Sequence, residues 1–109
     1  MLRSLFTNDG ATGGSLRANY QASIGESGLD PRAHVLVRLA ALASMGAPAS
    51  LYAWQAEMAE MYEVAPQEML GVLVALKPTI GLARVATAAA ELCRALGIED
   101  MGVSESQAE

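Results

Sequence analysis

The chain has 109 residues, of which 52% are hydrophobic and 5% aromatic, a length that suits one domain with a core of small side chains. Its 7 basic and 12 acidic residues give a formal net charge of −5 at pH 7 without a basic stripe, so we expect neither a nucleic-acid partner nor binding to an anionic membrane surface. Because small side chains bury little area per residue, this composition favours further burial by self-association.

Cysteine usage and the length of the apolar runs favour a cytoplasmic location. Cys93 is the single cysteine, whereas an extracellular disulfide framework needs at least a pair. The longest strongly apolar run, residues 69–76, is far shorter than the roughly 20 residues that span a bilayer. We interpret Cys93 as a small buried hydrophobic side chain, since a redox role needs a second thiol or a setting that stabilises the thiolate.

The first part of the chain is predicted to be an arm followed by a helix. Residues 1–28 are rich in Gly, Ser, Asn and Thr, which predicts a mostly irregular segment with a short helix around LRANYQASI. The sequence LDPRAH then predicts a helix start, with Asp30 as N-cap and Pro31 in the first turn. This helix is predicted to end at Gly46.

Two further helices follow, each with a proline near its start. Pro48 begins a helix that is predicted to reach Glu63. The next starts at APQEM and is predicted to end near Lys77, because Pro78 cannot continue it.

The last predicted helix covers about Thr79 to Leu96, with Gly97 as C-cap and an acidic tail at 98–109. No stretch alternates apolar and polar residues for long enough to predict a strand. The predicted fold class is therefore all-α, with one helical domain at residues 29–97.

Two polar side chains of the first predicted helix are candidates for chemistry. His34 is the only histidine and can carry protons near neutral pH, but an exposed or rim position is favoured because no partner is visible. Arg38 interrupts the apolar run VLVRLAAL, where a guanidinium must be paired or reach an edge. We favour an ion pair for Arg38 over the alternative, an anchor for a ligand carboxylate.

Gln55 and Tyr52 form the strongest polar constellation, because their spacing places them on one helix face. On a helical wheel Gln55 points into the apolar arc, opposite a solvated acidic face; the arc contains Leu51, Trp54, Met58, Met61 and Tyr62, and the acidic face Glu57, Glu60 and Glu63. Burying an unpaired amide costs roughly 1–3 kcal/mol. Gln55 therefore either satisfies a buried backbone group or subunit contact, or orients a ligand in a pocket.

Residues 29–88 resemble the carboxymuconolactone decarboxylase family, which includes the alkylhydroperoxidase D-like proteins. The shared pattern begins with an LDP helix start at Leu29 and an apolar helix that ends at Gly46. The helix at residues 49–63 follows, then an acidic turn at residues 64–68 and an apolar segment that leads to Pro78 and Gly81. The resemblance implies a small all-α fold of the alkylhydroperoxidase D-like type that assembles into homotrimers or homohexamers.

The chain departs from this family at the positions that carry its chemistry. The peroxidase branch has a C-x-x-C motif followed four residues later by a histidine, and these positions correspond here to Pro48, Leu51 and Gln55. If the alignment with the family is shifted by one residue near Gly46, these positions still contain no cysteine. Since thiol–disulfide exchange needs two thiols, we do not expect peroxidase activity. The histidine that the decarboxylase branch keeps is also replaced.

The expected protein is thus a homo-oligomer of this family type, without cofactor or metal, that binds or acts non-oxidatively on a small organic acid or lactone. If it is an enzyme, a decarboxylase-like lyase is expected. The expected site contains Gln55 and Tyr52, with Trp54 as a wall. In it Gln55 orients the ligand, Arg38 pairs the carboxylate and His34 carries the proton. The alternatives are a non-catalytic structural or interaction protein of the same fold and, less favoured, a retained peroxidase.

Overall fold

A computed structural model describes residues 9–98, with side chains from residue 17 onward. These residues form five α-helices and no strand, which confirms the all-α prediction for this part of the chain. The helices are α1 (Asp9–Ser27), α2 (Pro31–Met45), α3 (Ala49–Met61), α4 (Pro66–Ile80) and α5 (Leu82–Leu96). Residues 1–8 of the predicted arm and the acidic tail from residue 99 lie outside the described residues.

The chain divides into two compact units within α2, after His34. In the first unit, α1 precedes the opening turn of α2, and among residues 17–34 the buried side chains are Tyr20 and His34. The second unit contains the rest of α2 and the three later helices, and there α5 packs against both α3 and α4. Its core is aliphatic and sulfur-rich, with Val35, Leu39, Met58, Met69, Leu73 and Leu92 among the most buried side chains.

The short helix predicted around LRANYQASI is confirmed, but the prediction of irregular structure on either side of it is wrong, because the single helix α1 covers residues 9–27. The glycines of this segment lower helix propensity, which is why the sequence pattern suggests irregular structure. Packing compensates, because the buried ring of Tyr20 contacts His34. The helix stops before Gly28, whose φ of 71° lies in the left-handed region that favours glycine.

The start of α2 agrees with the prediction. The Oδ1 atom of Asp30 accepts a hydrogen bond from the backbone N–H of Arg32 at 3.4 Å, so Asp30 caps the first turn. The helix stops one residue before Gly46, which adopts a φ of 67°. A left-handed residue at this point turns the chain toward Pro48 and the start of α3.

Helix α4 continues through Pro78 to Ile80, so the predicted end near Lys77 is wrong. Proline removes the N–H that would bond to the carbonyl of Val74, one turn earlier. Both Val74 and Pro78 are exposed, so water can satisfy this carbonyl at modest cost. The helix ends instead at Gly81, whose N–H donates to the Lys77 carbonyl at 3.0 Å, and α5 therefore begins at Leu82 rather than at Thr79.

The buried face of α3 is rotated relative to the predicted apolar arc. Its buried residues are Tyr52, Gln55, Met58 and Ala59, whose spacing forms one stripe along the helix. Leu51 and Met61, placed in the arc by the sequence pattern, are 42% and 46% exposed. Gln55 consequently lies in the middle of the core-facing stripe.

Candidate functional site

Gln55 is a structural link between α3 and α2 in the second unit. Its side chain is 1% exposed, and its Nε2 atom donates a hydrogen bond of 2.9 Å to the carbonyl oxygen of Val35. A buried amide needs such a partner, since leaving it unpaired costs roughly 1–3 kcal/mol. The bond agrees with the interpretation in which Gln55 satisfies a buried backbone group.

Tyr52, one turn before Gln55, lines a small pocket in the same unit. The pocket has a volume of about 110 Å³ and is bounded by the turn at residues 46–49 and by α5. Its polar lining side chains are Tyr52, Arg84, Thr87 and Glu91. We name this the Tyr52–Arg84 pocket. Gln55 does not line it, so the two members of the predicted constellation have different surroundings.

Arg84 is anchored at the edge of this pocket by α2. Its Nη1 atom donates to the carbonyl oxygen of Ser44 at 2.7 Å, in the last turn of α2, where a cation complements the helix dipole. The same atom would lie 3.6 Å from a Cβ at Gly46, so the guanidinium lies over the turn. Because a guanidinium carries five N–H donors, the bond to Ser44 leaves donors for a second acceptor.

The start of α3 adds further positive potential to the pocket. Pro48 is the N-cap, and no side chain caps the first turn. Pro48 and Ala49 both line the pocket, so the amino-terminal end of α3 faces it. Uncapped N–H groups and the helix dipole at such an end attract an anion.

Glu91 introduces one negative charge into the lining. It forms an ion pair of 2.9 Å with Arg94, which partly compensates that charge. Burial raises the pKa of the Tyr52 hydroxyl above its ordinary value of 10.0, and the nearby Glu91 carboxylate raises it further. Tyr52 is therefore a neutral hydrogen-bond donor at physiological pH.

The other residues of the expected site do not line the Tyr52–Arg84 pocket. Trp54 is half-buried on α3, and Arg38 is exposed on α2, as expected for a guanidinium that reaches a helix edge. Of the predicted ligand-binding residues of the second unit, the pocket thus contains Tyr52 alone. The roles assigned to Trp54 and Arg38 stay predictions.

The prediction that His34 is exposed or on a rim is wrong. In the first unit its side chain is 4% exposed, and Nε2 lies 3.0 Å from the hydroxyl oxygen of Ser23. The Tyr20 ring meets the imidazole edge-to-face, with centroids 5.0 Å apart and an interplanar angle of 70°. Both partners lie on α1, so a pattern confined to α2 gives no sign of them. The proton-transfer role of His34 stays a prediction.

Cys93 lies on α5 with a half-buried side chain rather than in full burial. Burial raises the pKa of its thiol, which lowers the thiolate fraction at neutral pH. This setting fits an inert thiol better than a redox-active one.

Arg84 is a pocket residue that the sequence pattern does not single out. Its acceptor Ser44 lies 40 residues earlier in the chain, so no local pattern connects the two. The available signal is indirect, because Gly46 followed by Pro48 predicts a tight turn between two helices. Such a turn brings the negative carboxyl end of the first helix dipole close to the positive amino end of the second.

Among residues 9–98 no group of three His, Cys, Asp or Glu side chains is placed to hold a metal ion. None of the described helices has both the length and the apolar character that crossing a membrane requires. No protein-family model matches the chain, and no curated protein or solved structure matches it either.

Proposed function

We propose that the protein binds a small organic acid, or the corresponding lactone, in the Tyr52–Arg84 pocket, without redox chemistry. The observation that carries this proposal is the meeting of the Arg84 guanidinium with the uncapped start of α3 around one small pocket. A guanidinium fork and helix N–H groups are both donors that match a carboxylate.

Two other polar groups of the lining, Tyr52 and Glu91, suit a second oxygen on the ligand. Tyr52 remains protonated and can donate a hydrogen bond, while Glu91 can accept one from a ligand hydroxyl. A pocket of about 110 Å³ holds only a few heavy atoms, so it suits short acids rather than aromatic ones. A two- or three-carbon hydroxy acid satisfies these conditions.

We further propose that the chain is a divergent member of the carboxymuconolactone decarboxylase type, acting as a cytoplasmic homo-oligomer. Support for the family type is the sequence pattern of residues 29–88 together with the order of its helices, in which α2 ends before Gly46 and α3 begins after Pro48. Support for self-association is a set of large apolar side chains on the surface of the second unit: Val37, Met45, Leu51, Met61, Val74 and Leu82.

A second candidate is a non-catalytic structural or interaction protein of the same fold. The observation that favours it is the use of Gln55 as a partner for the Val35 backbone, because this amide stabilises the helix packing instead of facing a pocket. In this case the surface apolar side chains, rather than the pocket, carry the function.

A thermal-shift experiment separates the two candidates. The ligands are acetate, glycolate, lactate and pyruvate, each paired with its neutral amide, together with γ-butyrolactone. A ligand that binds the native state at about 100 times its Kd stabilises it by about 2.7 kcal/mol. Binding in the pocket predicts that an acid raises the melting temperature, that its amide does not, and that Arg84→Gln removes the shift.

The matched control is Arg38→Gln, which removes the same charge from an exposed position outside the pocket. It should leave the ligand-induced shift unchanged. If no acid or lactone shifts the native protein, the binding proposal fails and the interaction protein is favoured. If Arg38→Gln rather than Arg84→Gln removes the shift, the site lies where the sequence pattern suggested.

A further inference from the structure

We propose that the exposed face of α4 docks into a groove between α3 and α5 of a second copy of the chain, with Lys77 paired to Glu57 and Glu60. This inference rests on the proposed self-association and assigns the surfaces that carry it. Both surfaces belong to the second unit.

The groove has a volume of about 490 Å³ and a lining in which polar and apolar surface are about equal. Ala53 and Ala56 come from α3 and Leu96 from the end of α5, while Glu57 and Glu60 provide its acidic part. The small alanine side chains leave room for a neighbouring helix to approach closely. We name this the α3–α5 groove.

Two features make the groove electrostatically negative. The Glu57 and Glu60 carboxylates are exposed and three residues apart, so they lie on one side of α3. The carbonyl end of α5, which contributes Leu96, adds the negative end of a helix dipole. A suitable occupant is therefore apolar with a cationic edge.

The outward face of α4 has this chemistry. Gly71, Val74, Ala75 and Pro78 are all exposed, and they share one face of the helix. Val74 is 61% exposed, and a Cβ added at Gly71 would meet no atom within 4 Å. Lys77, also exposed, borders Val74 at a spacing of three residues and supplies the cationic edge.

A second copy is the occupant that these observations favour, because the chain itself carries both complementary surfaces. The chain has a net charge of −5, so contact between two arbitrary surfaces brings mostly like charges together, whereas Lys77 against two glutamates does not. Since the face and the groove are different surfaces, the contact is heterologous, and it forms a ring only where the rotation between successive copies closes. Leu82, which begins α5 just after Gly81, is 67% exposed and extends the apolar character of this region.

Charge reversal tests the contact directly by light scattering and sedimentation over a micromolar concentration series. We expect Lys77→Glu and Glu60→Lys each to weaken assembly at least about tenfold, since each places like charges opposite one another. The double variant Lys77→Glu with Glu60→Lys should regain most of the affinity, because it restores opposite charges. Val74→Ser should also weaken assembly, through loss of apolar contact.

The matched control is Glu63→Lys, which makes the same charge change just beyond α3, outside the groove. It should assemble as the native chain does, and circular dichroism should show that every variant keeps its helices. A native chain that is monomeric throughout the series contradicts both the proposed self-association and this contact. An oligomer that is insensitive to the reversals, or a double variant no better than the singles, overturns the contact and leaves self-association standing.

Discussion

The Nε2 atom of Gln55 donates a hydrogen bond of 2.9 Å to the carbonyl oxygen of Val35, joining the centre of the buried face of α3 to α2. The bond explains why an amide interrupts an otherwise apolar stripe: it pairs a backbone group in the core. Gln55 thus has a role in stability, whereas the neighbouring Tyr52 lines a pocket that Gln55 does not line. The two residues should therefore respond differently to substitution.

Replacing Gln55 with alanine should destabilise the protein by about 1–3 kcal/mol, because the variant loses a buried hydrogen bond and leaves a small cavity. Urea denaturation followed by circular dichroism measures the change in the free energy of unfolding. Gln67→Ala, on the exposed side of α4, is the matched control and should stay within about 0.5 kcal/mol of the native value. Equal stabilities of the Gln55→Ala variant and the native chain would contradict the structural role of this amide.

Stability should fall at alkaline pH through Tyr52. Because the pKa of its hydroxyl is raised above 10.0 in the folded state, the folded protein holds this proton more tightly than the unfolded chain. The contribution of Tyr52 to the free energy of unfolding is fully present below pH 10. It is lost as the pH rises from there through the folded-state pKa of the hydroxyl. Urea denaturation from pH 8 to pH 11 measures this dependence.

Tyr52→Phe should make that alkaline decline shallower. The comparison is made with Cys93 replaced by alanine in both chains, since burial also raises the pKa of that thiol. Glu91→Gln should make the decline in the native tyrosine chain smaller, because without that charge the folded-state pKa of Tyr52 lies closer to its ordinary value of 10.0. An unchanged pH dependence in the Tyr52→Phe variant would show that this hydroxyl does not titrate differently in the folded state.

The thiol of Cys93 should react slowly with a disulfide reagent at pH 7.5 in the folded protein. Its raised pKa reduces the thiolate fraction, and its half-buried position limits access. The rate is measured with and without urea, and unfolding should accelerate it strongly. Reaction of the folded chain as fast as that of the unfolded chain would reopen the peroxidase alternative.

Removal of the Ser23 hydroxyl should destabilise the first unit. Its oxygen lies 3.0 Å from the buried Nε2 atom of His34, so Ser23→Ala leaves that nitrogen without this partner at a cost of about 1–3 kcal/mol. Amide hydrogen exchange in α1 measures the effect locally. Gln21→Ala, on the exposed side of the same helix, should leave the exchange rates unchanged.

Helix starts and turns were predicted well from the sequence, because they depend on residues close together in the chain. Asp30 and Pro31 open α2, and the turn after it contains Gly46 with a positive φ, as the sequence indicated. Pro78 was misleading because its rule concerns a helix interior, whereas this proline occupies an exposed last turn. The full extent of the helix at residues 9–27, beyond the short helix predicted around LRANYQASI, was missed because packing of Tyr20, which no local pattern reveals, outweighs weak propensity.

The candidate site was harder to predict, because its contacts are long-range. Tyr52 and Gln55 were singled out correctly as polar residues among apolar ones, but the pattern gave no means to distinguish a pocket wall from a core hydrogen bond. Arg84 reaches Ser44 across 40 residues, and His34 reaches Ser23 on another helix. Such pairs become visible only when the helices are placed in space.

The most direct test of the account compares acid-induced thermal shifts in Arg84→Gln and Gln55→Ala. The account predicts that a short organic acid which stabilises the native chain no longer shifts the Arg84→Gln variant. The Gln55→Ala variant, although it melts at a lower temperature, should keep the full ligand-induced shift. The reverse pattern, with the shift lost in Gln55→Ala and kept in Arg84→Gln, would contradict the assignment of binding to the Tyr52–Arg84 pocket.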